Sequence, residues 1–464
     1  MRILFSGLTF VLLTALTFHQ LKSQSSVKFA VIGDYGNAGP DEEAVANLVK
    51  NHNPDFIITT GDNNYDVGSS YTIDENIGQY YHDFIFPYKG SYGNGAAYNR
   101  FFPSLGNHDW GTPGALPYLN YFILPGNERY YDFVKGPVHF FVIDSDSNET
   151  DGRDSSSVQA QWLKNKLAQS SSRFNIVYFH HPPYCSGFIN GSEAVMRWPF
   201  KSWGVSAVMS GHEHLYERLS VNGLTYFVNG LGGNLRSIFG FPLAGSQVRY
   251  NGNYGAMIVE ANNDSIVSKF YNIANSLRDN VKILPAVKQL TLNAFIEGFY
   301  NEISGVMIPD SVKIYLRESI SPHMIIDSST GMLNSSGSGL FSFTKADNAT
   351  GYFIMIKHRN SVETWSSAVN IFTINKLDYD FSLNQASAFD NNLVLKGSKY
   401  CIYSGDVNQD GAVDASDLSI VENSVLNSGN GYISSDLNGD NTSDAADLSI
   451  VENNIFKGVT VVRP

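Results

Sequence analysis

Five short segments of this sequence place oxygen or nitrogen ligands where runs of β-forming residues end. They are Gly33-Asp34-Tyr35-Gly36, Gly61-Asp62-Asn63-Asn64-Tyr65, Gly106-Asn107-His108-Asp109, His180-His181-Pro182-Pro183-Tyr184 and Gly211-His212-Glu213-His214. Ligands at the carboxyl ends of neighbouring strands converge on one crevice, and glycine lets the backbone turn there. A carboxylate such as Asp62 can bridge two cations, which together can clamp a phosphoryl group and activate water. The pattern predicts a two-metal centre.

Each segment is weak evidence when it stands alone. An isolated Gly-Asp pair is usually a turn, and an isolated tyrosine such as Tyr65 is usually a core residue. The prediction depends on all five segments occurring together, in order, at predicted strand ends. His180 and His181 remain alternatives for one ligand position at this stage.

Together the five segments resemble those of the metallophosphoesterase (calcineurin-like phosphoesterase) superfamily. The wider superfamily has Asp-x-His in the first segment, whereas this chain has Gly36 in the third position. The Asp62-x-x-Tyr65 spacing is similar to the purple acid phosphatase branch, in which a tyrosine replaces that histidine. A phenolate is a hard oxygen donor that suits Fe(III), so the replacement is chemically coherent.

The resemblance implies two sets of ligands and a role for two neighbouring residues. It implies that the first metal, Fe(III), is bound by Asp34, Asp62, Tyr65 and His214. It implies that the second metal, which is Zn, Mn or Fe(II), is bound by Asp62, Asn107, His180 and His212. The family's His-x-Pro spacing favours His180 over His181. His108 resembles the phosphate-contacting histidine of the family, and Asp109 would orient it.

One departure from the family concerns the proton donor. Relatives have a further histidine shortly after the His180 position, where it helps to protonate the leaving group. The corresponding stretch here, Phe188-Ile189-Asn190-Gly191, contains none. His108 is therefore the leading candidate for the general acid, and His181 is the alternative.

The end of the chain contains an internal repeat. Residues 406–423 and 436–453 are identical at 12 of 18 positions. Oxygen ligands occupy positions 1, 3, 5, 9 and 12 of an EF-hand-like loop in each copy. They are Asp406, Asn408, Asp410, Asp414 and Asp417 in the first copy, and Asp436, Asn438, Asp440, Asp444 and Asp447 in the second. The entering helix of an EF-hand is absent, and position 12 is Asp rather than Glu.

These departures from an EF-hand resemble dockerin modules. The resemblance implies that the repeat binds Ca and docks to a cohesin-like protein. Two other interpretations stay open: a solvated acidic surface that binds no cation, and a module that docks within its own chain as a cap on the preceding domain.

The rest of the sequence predicts the domains that contain these sites. Strand-like runs alternate with helical patterns at 41–50 and 156–170, which predicts an α/β domain, and the resemblance implies a four-layer αββα sandwich. Short strand-like runs separated by Ser, Asn and Gly turns then predict a β-sandwich, followed by a small helical module. The expected boundaries are 1–24 for a signal peptide, 27–278 for the catalytic domain, 283–400 for the β-sandwich and 404–464 for the dockerin-like module.

Composition and charge exclude several classes of protein. The 464 residues carry a formal net charge of −13, of which residues 404–457 contribute −9. No basic patch indicates nucleic-acid binding.

Arg2 and the apolar run at 3–18 predict a cleaved signal peptide, with an uncleaved anchor helix as the alternative. No later run is long enough to span a membrane. The two cysteines, Cys185 and Cys401, exclude a disulfide framework, and a single bridge between them or two free thiols both stay open.

The sequence thus predicts a secreted or cell-surface dimetal acid phosphatase, in which a metal-activated hydroxide hydrolyses phosphate monoesters. The alternative on the same core is a phosphodiesterase or nucleotide hydrolase. A non-catalytic adhesion or scaffold protein is the alternative from another class.

Overall fold

The computed structural model describes residues 26–464, and the signal peptide expected at 1–24 lies outside them. Residues 27–283 contain two β-sheets. Their strands are β1 (Val27–Ile32), β2 (Phe56–Thr59), β3 (Phe101–Pro103), β4 (Tyr131–Lys135), β5 (Val138–Val142), β6 (Phe174–Tyr178), β7 (Ala207–Ser210), β8 (Tyr216–Val221), β9 (Leu224–Asn229), β10 (Ser246–Tyr250), β11 (Gly255–Ala261), β12 (Ile266–Asn272) and β13 (Leu277–Ile283). Sheet 1 has the order β13-β12-β11-β1-β2-β3, and sheet 2 the order β10-β8-β9-β7-β6-β5-β4.

Helices in this part are α1 (Pro40–Asn51), α2 (Gln79–Tyr81), α3 (Leu116–Tyr121) and α4 (Val158–Gln169). Pro40 suits the first position of α1 because its fixed φ is already helical and its missing N–H would be unpaired there. The Ser157 hydroxyl caps α4 by accepting a hydrogen bond from the Ala160 N–H at 3.2 Å. The two helices predicted at 41–50 and 156–170 are both present.

The two sheets pack face to face with a helix on each outer side. The rings of Phe29 and Phe56 in sheet 1 lie 5.1 and 5.5 Å from the ring of Phe140 in sheet 2. Val45 of α1 packs into the same core, whereas Leu163 of α4 belongs to a separate core on the other face of sheet 2. This is the predicted four-layer αββα architecture.

Parallel pairing brings the ligand-bearing segments to one end of the sheets. In sheet 1, β1 pairs in parallel with β2, and β2 with β3. In sheet 2, β6 pairs in parallel with β7. All five segments predicted from the sequence follow one of these five strands, so their side chains meet at the carboxyl ends of the strands.

The region that follows is rich in β-structure, as predicted. Its strands are β14 (Lys288–Asn293), β15 (Phe295–Ile296), β16 (Tyr300–Asn301), β17 (Val306–Met307), β18 (Asp310–Glu318), β19 (Ile325–Leu333), β20 (Ser338–Phe343), β21 (Gly351–Lys357), β22 (Thr364–Trp365), β23 (Asn370–Ile371), β24 (Lys376–Asp380), β25 (Val394–Lys396) and β26 (Lys399–Ile402). The β20-β14-β24 and β19-β18-β21-β22 sheets share one core, which includes Leu290 from the first and Ile314 from the second. We call residues 288–402 the β-rich region.

Two helices, α5 (Ala415–Leu426) and α6 (Ala445–Phe456), form the C-terminal module of residues 404–464. This module is packed against the β-rich region, because Val362 of that region belongs to the core of the module. Glu297 accepts hydrogen bonds from the Asn454 side chain at 2.6 Å and the Ser404 N–H at 3.1 Å. The contact is therefore both apolar and polar.

Arg173 joins the α/β domain to the β-rich region. Its guanidinium donates to the carbonyl of Asn263 at 2.9 Å, within the α/β domain. It also donates to the carbonyls of Ala346, at 3.0 Å, and Thr344 in the β-rich region. One side chain therefore links both parts.

Two further expectations concern the membrane and the cysteines. Within residues 26–464, no helix has both the length and the apolar character needed to cross a membrane. Cys185 and Cys401 are each buried as free thiols.

Candidate metal centres

The ligands predicted in the five segments form one group, which we call the strand-end cluster. Its members are Asp34, Asp62, Tyr65, Asn107, His180, His212 and His214. Asp34, Asp62 and His212 have φ values of 57°, 53° and 67°, in the left-handed region that non-glycine residues rarely adopt. Such backbone conformations concentrate at functional sites, where the surrounding structure holds them in place.

The first half of the cluster surrounds the Tyr65 hydroxyl. This oxygen lies 3.0 Å from an Asp62 carboxylate oxygen, 3.5 Å from an Asp34 carboxylate oxygen and 3.2 Å from Nε2 of His214. His214 Nε2 is also 3.4 Å from Asp34. The four predicted ligands of the first metal therefore face one another across a space of atomic size.

The second half surrounds Nε2 of His180. This atom lies 3.0 Å from Oδ1 of Asn107, 3.0 Å from Nδ1 of His212 and 3.3 Å from Oδ2 of Asp62. The same Asp62 oxygen faces the Tyr65 hydroxyl. Asp62 therefore stands between the two halves, in the position that a bridging carboxylate requires.

Hydrogen bonds to backbone carbonyls orient the imidazole rings of two histidines, so that one ring nitrogen of each faces the cluster. His180 Nδ1 lies 2.8 Å from the Thr60 carbonyl, and His214 Nδ1 lies 2.5 Å from the Leu235 carbonyl. Carbonyl oxygens only accept, so each Nδ1 carries a proton and Nε2 is left to face the cluster. Fixing a ring in this way is typical of metal-binding histidines.

The donor set fits two cations. His180 Nε2 faces three other acceptor atoms, and a proton cannot bond all of them, whereas a cation among them can. Within residues 26–464, neither Asp34 nor Asp62 has a Lys or Arg nitrogen within 4.0 Å to balance its charge. Two carboxylates, a phenol oxygen, an amide oxygen and three imidazoles are ligands suited to Fe, Zn or Mn.

Burial and neighbouring charges perturb the cluster strongly. Burial opposes ionisation of Asp62, but the imidazoles of His180 and His108 outweigh it and hold the pKa of Asp62 below its usual range. Burial, followed by the Asp62 and Asp34 carboxylates, raises the pKa of Tyr65 well above its usual value. A phenolate at this position therefore needs a cation beside it.

His108 lies at the mouth of the cluster, and about a third of its side chain is exposed. Its backbone N–H donates to Asp62 at 2.9 Å, and its Nε2 lies 3.9 Å from the same carboxylate. Its Nδ1 lies 2.5 Å from the Asp66 carbonyl. The ring of His108 therefore bonds to the Asp66 carbonyl rather than to Asp109, the orienting residue expected from the sequence. The Tyr65 ring also packs against it, with the two ring centroids 4.3 Å apart.

Asp109 has a different set of contacts. Its buried carboxylate accepts hydrogen bonds from the Asn63 side chain at 2.8 Å and the Gly106 N–H at 2.9 Å. Burial, followed by the Asp62 charge, raises the pKa of Asp109 to about 7. Asp109 thus joins the loops that carry Asp62 and Asn107.

His181 is adjacent to the cluster. Its Nδ1 lies 2.9 Å from the Ser145 hydroxyl, and its ring centroid lies 4.4 Å from that of His212. Burial, followed by the charge of His180, lowers the pKa of His181 to about 2. This neutral, mostly buried ring is less suited than His108 to donating a proton.

Gly36, which stands where the resemblance led us to expect a histidine in the wider superfamily, has no room for a side chain. A Cβ at Gly36 would lie 1.8 Å from the Asn63 carbonyl oxygen, so no side chain fits there. Tyr65, on the neighbouring strand end, supplies the oxygen instead.

The repeat loops, residues 406–417 and 436–447, fold alike. In the first, the Asp417 carboxylate accepts hydrogen bonds from the N–H groups of Val407 and Asn408 at 2.7 and 3.0 Å. In the second, Asp447 accepts from Leu437 and Asn438 at 2.6 and 3.1 Å. Position 12 therefore folds each loop back on its start.

Position 9 of each loop contacts the start of the helix that follows. Asp414 and Asp444 cap α5 and α6, accepting from the second residue of each helix at 2.7 Å. An EF-hand ligand at this position often acts through water. Direct ligation by these two residues stays a prediction.

The first repeat loop fits a hard cation. Carboxylate oxygens of Asp406, Asp410 and Asp417 lie within 4.8 Å of one another. One buried Asp406 oxygen has no hydrogen-bond partner among the described residues. Burial, followed by the Asp417 and Asp410 charges, raises the pKa of Asp406 to about 6. A calcium ion would relieve this repulsion and is bound by oxygen ligands of this kind.

Two protein families match parts of this chain. Residues 27–216 match the calcineurin-like phosphoesterase family, and residues 404–456 match the dockerin type I domain. The chain therefore carries a calcineurin-like phosphoesterase domain. It also carries a dockerin type I domain, and the strand-end cluster and the repeat loops lie within these two matches.

Individual relatives are similar over part of the chain. Purple acid phosphatase 15 of Arabidopsis thaliana is 27% identical over 252 residues, covering 45% of this chain and 45% of its own length. Purple acid phosphatase 17 of the same plant is 26% identical over 229 residues, covering 43% and 65%. The match thus spans less than two thirds of either relative. The purple acid phosphatase PPD1 from yellow lupin (Lupinus luteus) seeds has a TM-score of 0.47 and 16% identity, covering 57% of this chain and 54% of its own.

Several residues that shape the phosphoesterase domain's cluster were missed by sequence reasoning. Thr60 and Leu235 act through backbone carbonyls, which residue type does not reveal. The Asn234 side chain acts to lower the pKa of Tyr65, and its N–H donates to the Asp34 carbonyl at 3.2 Å. Asn234 follows β9, the parallel neighbour of β7, so the strand-end rule that predicted the other residues of the cluster was the available signal.

Proposed function

We propose that the phosphoesterase domain hydrolyses phosphate monoesters with two metal ions held by the strand-end cluster. The observation that carries this proposal is Asp62, whose one oxygen faces both Tyr65 and His180. We assign Asp34, Asp62, Tyr65 and His214 to Fe(III), and Asp62, Asn107, His180 and His212 to Zn, Mn or Fe(II). The two cations would supply Lewis-acid charge and lower the pKa of water.

The surrounding residues have defined tasks in this reaction. His108, with its Nδ1 on the Asp66 carbonyl, directs Nε2 toward the mouth of the cluster. In hydrolysis, a water oxygen joins phosphorus and releases a proton to solvent, and the ester P–O bond breaks with its electron pair on the leaving oxygen. His108 gives that oxygen a proton, and Asp109 keeps the Asp62 and Asn107 loops in register.

The test measures metal and activity together. Purified protein should contain two metal ions per α/β domain and absorb visible light when oxidised, and it should hydrolyse 4-nitrophenyl phosphate faster than bis(4-nitrophenyl) phosphate. The reverse preference would assign the domain to diesters. Two bound metals without hydrolysis of either ester would instead favour a binding or scaffold role.

We further propose that the repeat loops bind calcium and that the dockerin module docks to a cohesin-like protein. The dockerin match and the unpartnered oxygen of Asp406 support this. Such a role, with the N-terminal apolar run, fits a secreted or cell-surface protein. We assign catalysis to 27–278, a β-sandwich to 283–400 and docking to 404–464. Calcium-dependent capture of an immobilised cohesin is the measurement that checks it.

A further inference from the structure

A group of exposed apolar side chains borders the strand-end cluster. Its members, which we call the apolar rim, are Phe188, Ile189, Leu235, Ile238 and Phe241. Between 59% and 95% of each is exposed to solvent. Single exposed apolar residues are ordinary on protein surfaces, but five on two adjoining segments form a patch of the kind that marks binding sites.

The two segments that carry the rim are hydrogen-bonded to each other. The Phe188 N–H donates to the Ile238 carbonyl at 3.0 Å, and the Gly240 N–H donates to the Ser186 carbonyl at 2.8 Å. Gly187 and Phe239 pair as an antiparallel bridge between them. The rim is therefore one surface and not two separate loop tips.

The rim is fixed to the loop that carries two of the metal-ligand histidines. Glu213 stands between His212 and His214 in the sequence, and its side chain is buried. Its carboxylate accepts hydrogen bonds from the N–H groups of Asn190 and Gly191 at 2.6 and 2.7 Å. The carbonyl of Leu235 contacts His214 Nδ1 at 2.5 Å. Both segments of the rim thus continue directly from the cluster.

Two arginines border this surface, and each guanidinium is held by protein groups. The guanidinium of Arg249, from β10, donates to the Gly240 carbonyl at 2.6 Å and lies over the Phe239 ring. Arg236 is the one ionisable residue in residues 186–191 and 235–241. Its guanidinium donates to the Asn251 carbonyl at 2.9 Å and lies over the Tyr254 ring. A polar organic group bound at the rim would therefore lose hydration with little compensation, whereas an apolar group would gain from burial.

We infer that the apolar rim binds the organic group of the phosphoester, so that the domain prefers esters with an extended apolar group over small or polar ones. The inference rests on the proposed phosphatase function. The continuity of the rim with the cluster supports this occupant, because both rim segments are hydrogen-bonded to the loop that carries His212 and His214.

The experiment compares n-hexyl phosphate with ethyl phosphate on the metal-loaded full chain. The two alcohols are similarly poor leaving groups, so their kcat/KM ratio reports on contact with the alkyl chain. Partial burial of four additional methylenes predicts a ratio of about 10 in favour of hexyl phosphate. The Phe188→Ser, Leu235→Ser double variant should bring this ratio down to about 2. The Phe456→Ser variant, which alters an exposed phenylalanine in α6, should keep the wild-type ratio.

Inhibition by hexyl and ethyl phosphonate provides a second readout that needs no turnover. The inhibition constants should differ by the same factor and respond to the double variant in the same way. A wild-type ratio near 1 with active enzyme would overturn the inference and leave the proposed function intact. A ratio near 1 with a dimer that the double variant dissociates would assign the rim to contact between copies. Failure to hydrolyse any ester would remove the proposed function, and the inference with it.

Discussion

The two kinds of candidate metal site in this chain differ in how far apart their ligands lie in the sequence. The strand-end cluster collects its ligands from the ends of five strands, between residues 34 and 214, whereas each repeat loop takes its ligands from twelve consecutive residues. Asp62 is surrounded by imidazoles, and its pKa is held below the usual range. Asp406 is surrounded by other carboxylates, and its pKa is raised to about 6.

This difference indicates what holds the ligands of each site in place. The two packed sheets hold the ligands of the strand-end cluster, so their arrangement belongs to the fold itself. The repeat loops bring like charges together within a short stretch, so their order should depend on the cation that balances those charges. Metal binding is therefore expected to serve catalysis in the first site and folding in the second.

The largest expected effect comes from removing the shared carboxylate of the cluster. Asp62→Asn should lower kcat/KM on the order of 100- to 1000-fold, because charge stabilisation at both cations is weakened. The melting temperature should change little, since the sheets hold the loop. Asp264→Asn, on the exposed turn between β11 and β12, is the matched control for steady-state kinetics. Wild-type activity in Asp62→Asn would contradict the bridging role.

Calcium removal should affect the C-terminal module and leave the cluster unaffected. A ligand at a thousandfold excess over its Kd stabilises the folded state by about 4 kcal/mol, so a calcium-selective chelator should lower the transition of the module markedly. Calorimetry with and without chelator measures this, and a phosphatase assay in the same buffer should show no loss. Asp406→Asn should reduce the calcium response, whereas Asp378→Asn on β24 should preserve it. An unchanged transition would refute calcium-dependent folding.

The Tyr65→Phe variant tests whether the first metal is Fe(III) bound by a tyrosinate, while it leaves the other residues of the cluster in place. Loss of the phenol oxygen should abolish the visible absorption of the oxidised protein and lower kcat/KM by about tenfold, because the other ligands remain. Visible spectra and metal analysis of this variant and of Tyr71→Phe, an exposed neighbour, provide the comparison. A colourless, iron-loaded wild type would remove the Fe(III)–tyrosinate assignment.

A smaller effect tests how far the module depends on the β-rich region. His358 and Asp310 are paired at 3.1 Å beside the Tyr432 hydroxyl of the module. Burial lowers the pKa of His358, and the pKa of Asp310 is held below its usual range by His358 and Tyr432, which outweigh its burial.

Both folded-state pKa values are lower than in the unfolded chain, so this stability is lost as the pH falls. The loss begins near 6.5 for His358 and near 3.8 for Asp310. The melting temperature of the C-terminal part should drop by roughly 3 °C between pH 7.5 and pH 5. His358→Gln should flatten this dependence, and His323→Gln should keep it. A dependence equal in all three proteins would place its origin elsewhere.

The sequence was most informative where function depends on residue type at a strand end. Asp34, Asp62, Asn107, His180 and His212 could all be found in this way, because a buried parallel strand is easily recognised and its end is where ligands converge. The repeat loops were equally visible because their spacing is local. The β-rich region was predicted as a class, but not in its pairing, since Ser/Asn/Gly turns do not specify which strands meet.

Long-range contacts account for what could not be predicted. The expected partner of His108 was its neighbour Asp109, but the loop geometry instead brings the Asp66 carbonyl to its ring. The packing of Val362 into the C-terminal module joins residues on opposite sides of the module boundary. In neither case does the sequence contain a local signal, because the contact exists only after distant segments have packed.

Arg173 and the buried contact at Val362 together limit how the α/β domain can move relative to the C-terminal module. A flexible linker lets an enzyme sample many orientations around its anchor point. Here, hydrogen bonds and packed side chains occupy both junctions, so the mouth of the strand-end cluster has a set direction relative to α5 and α6. A partner that binds the module would therefore also fix the direction in which the cleft opens.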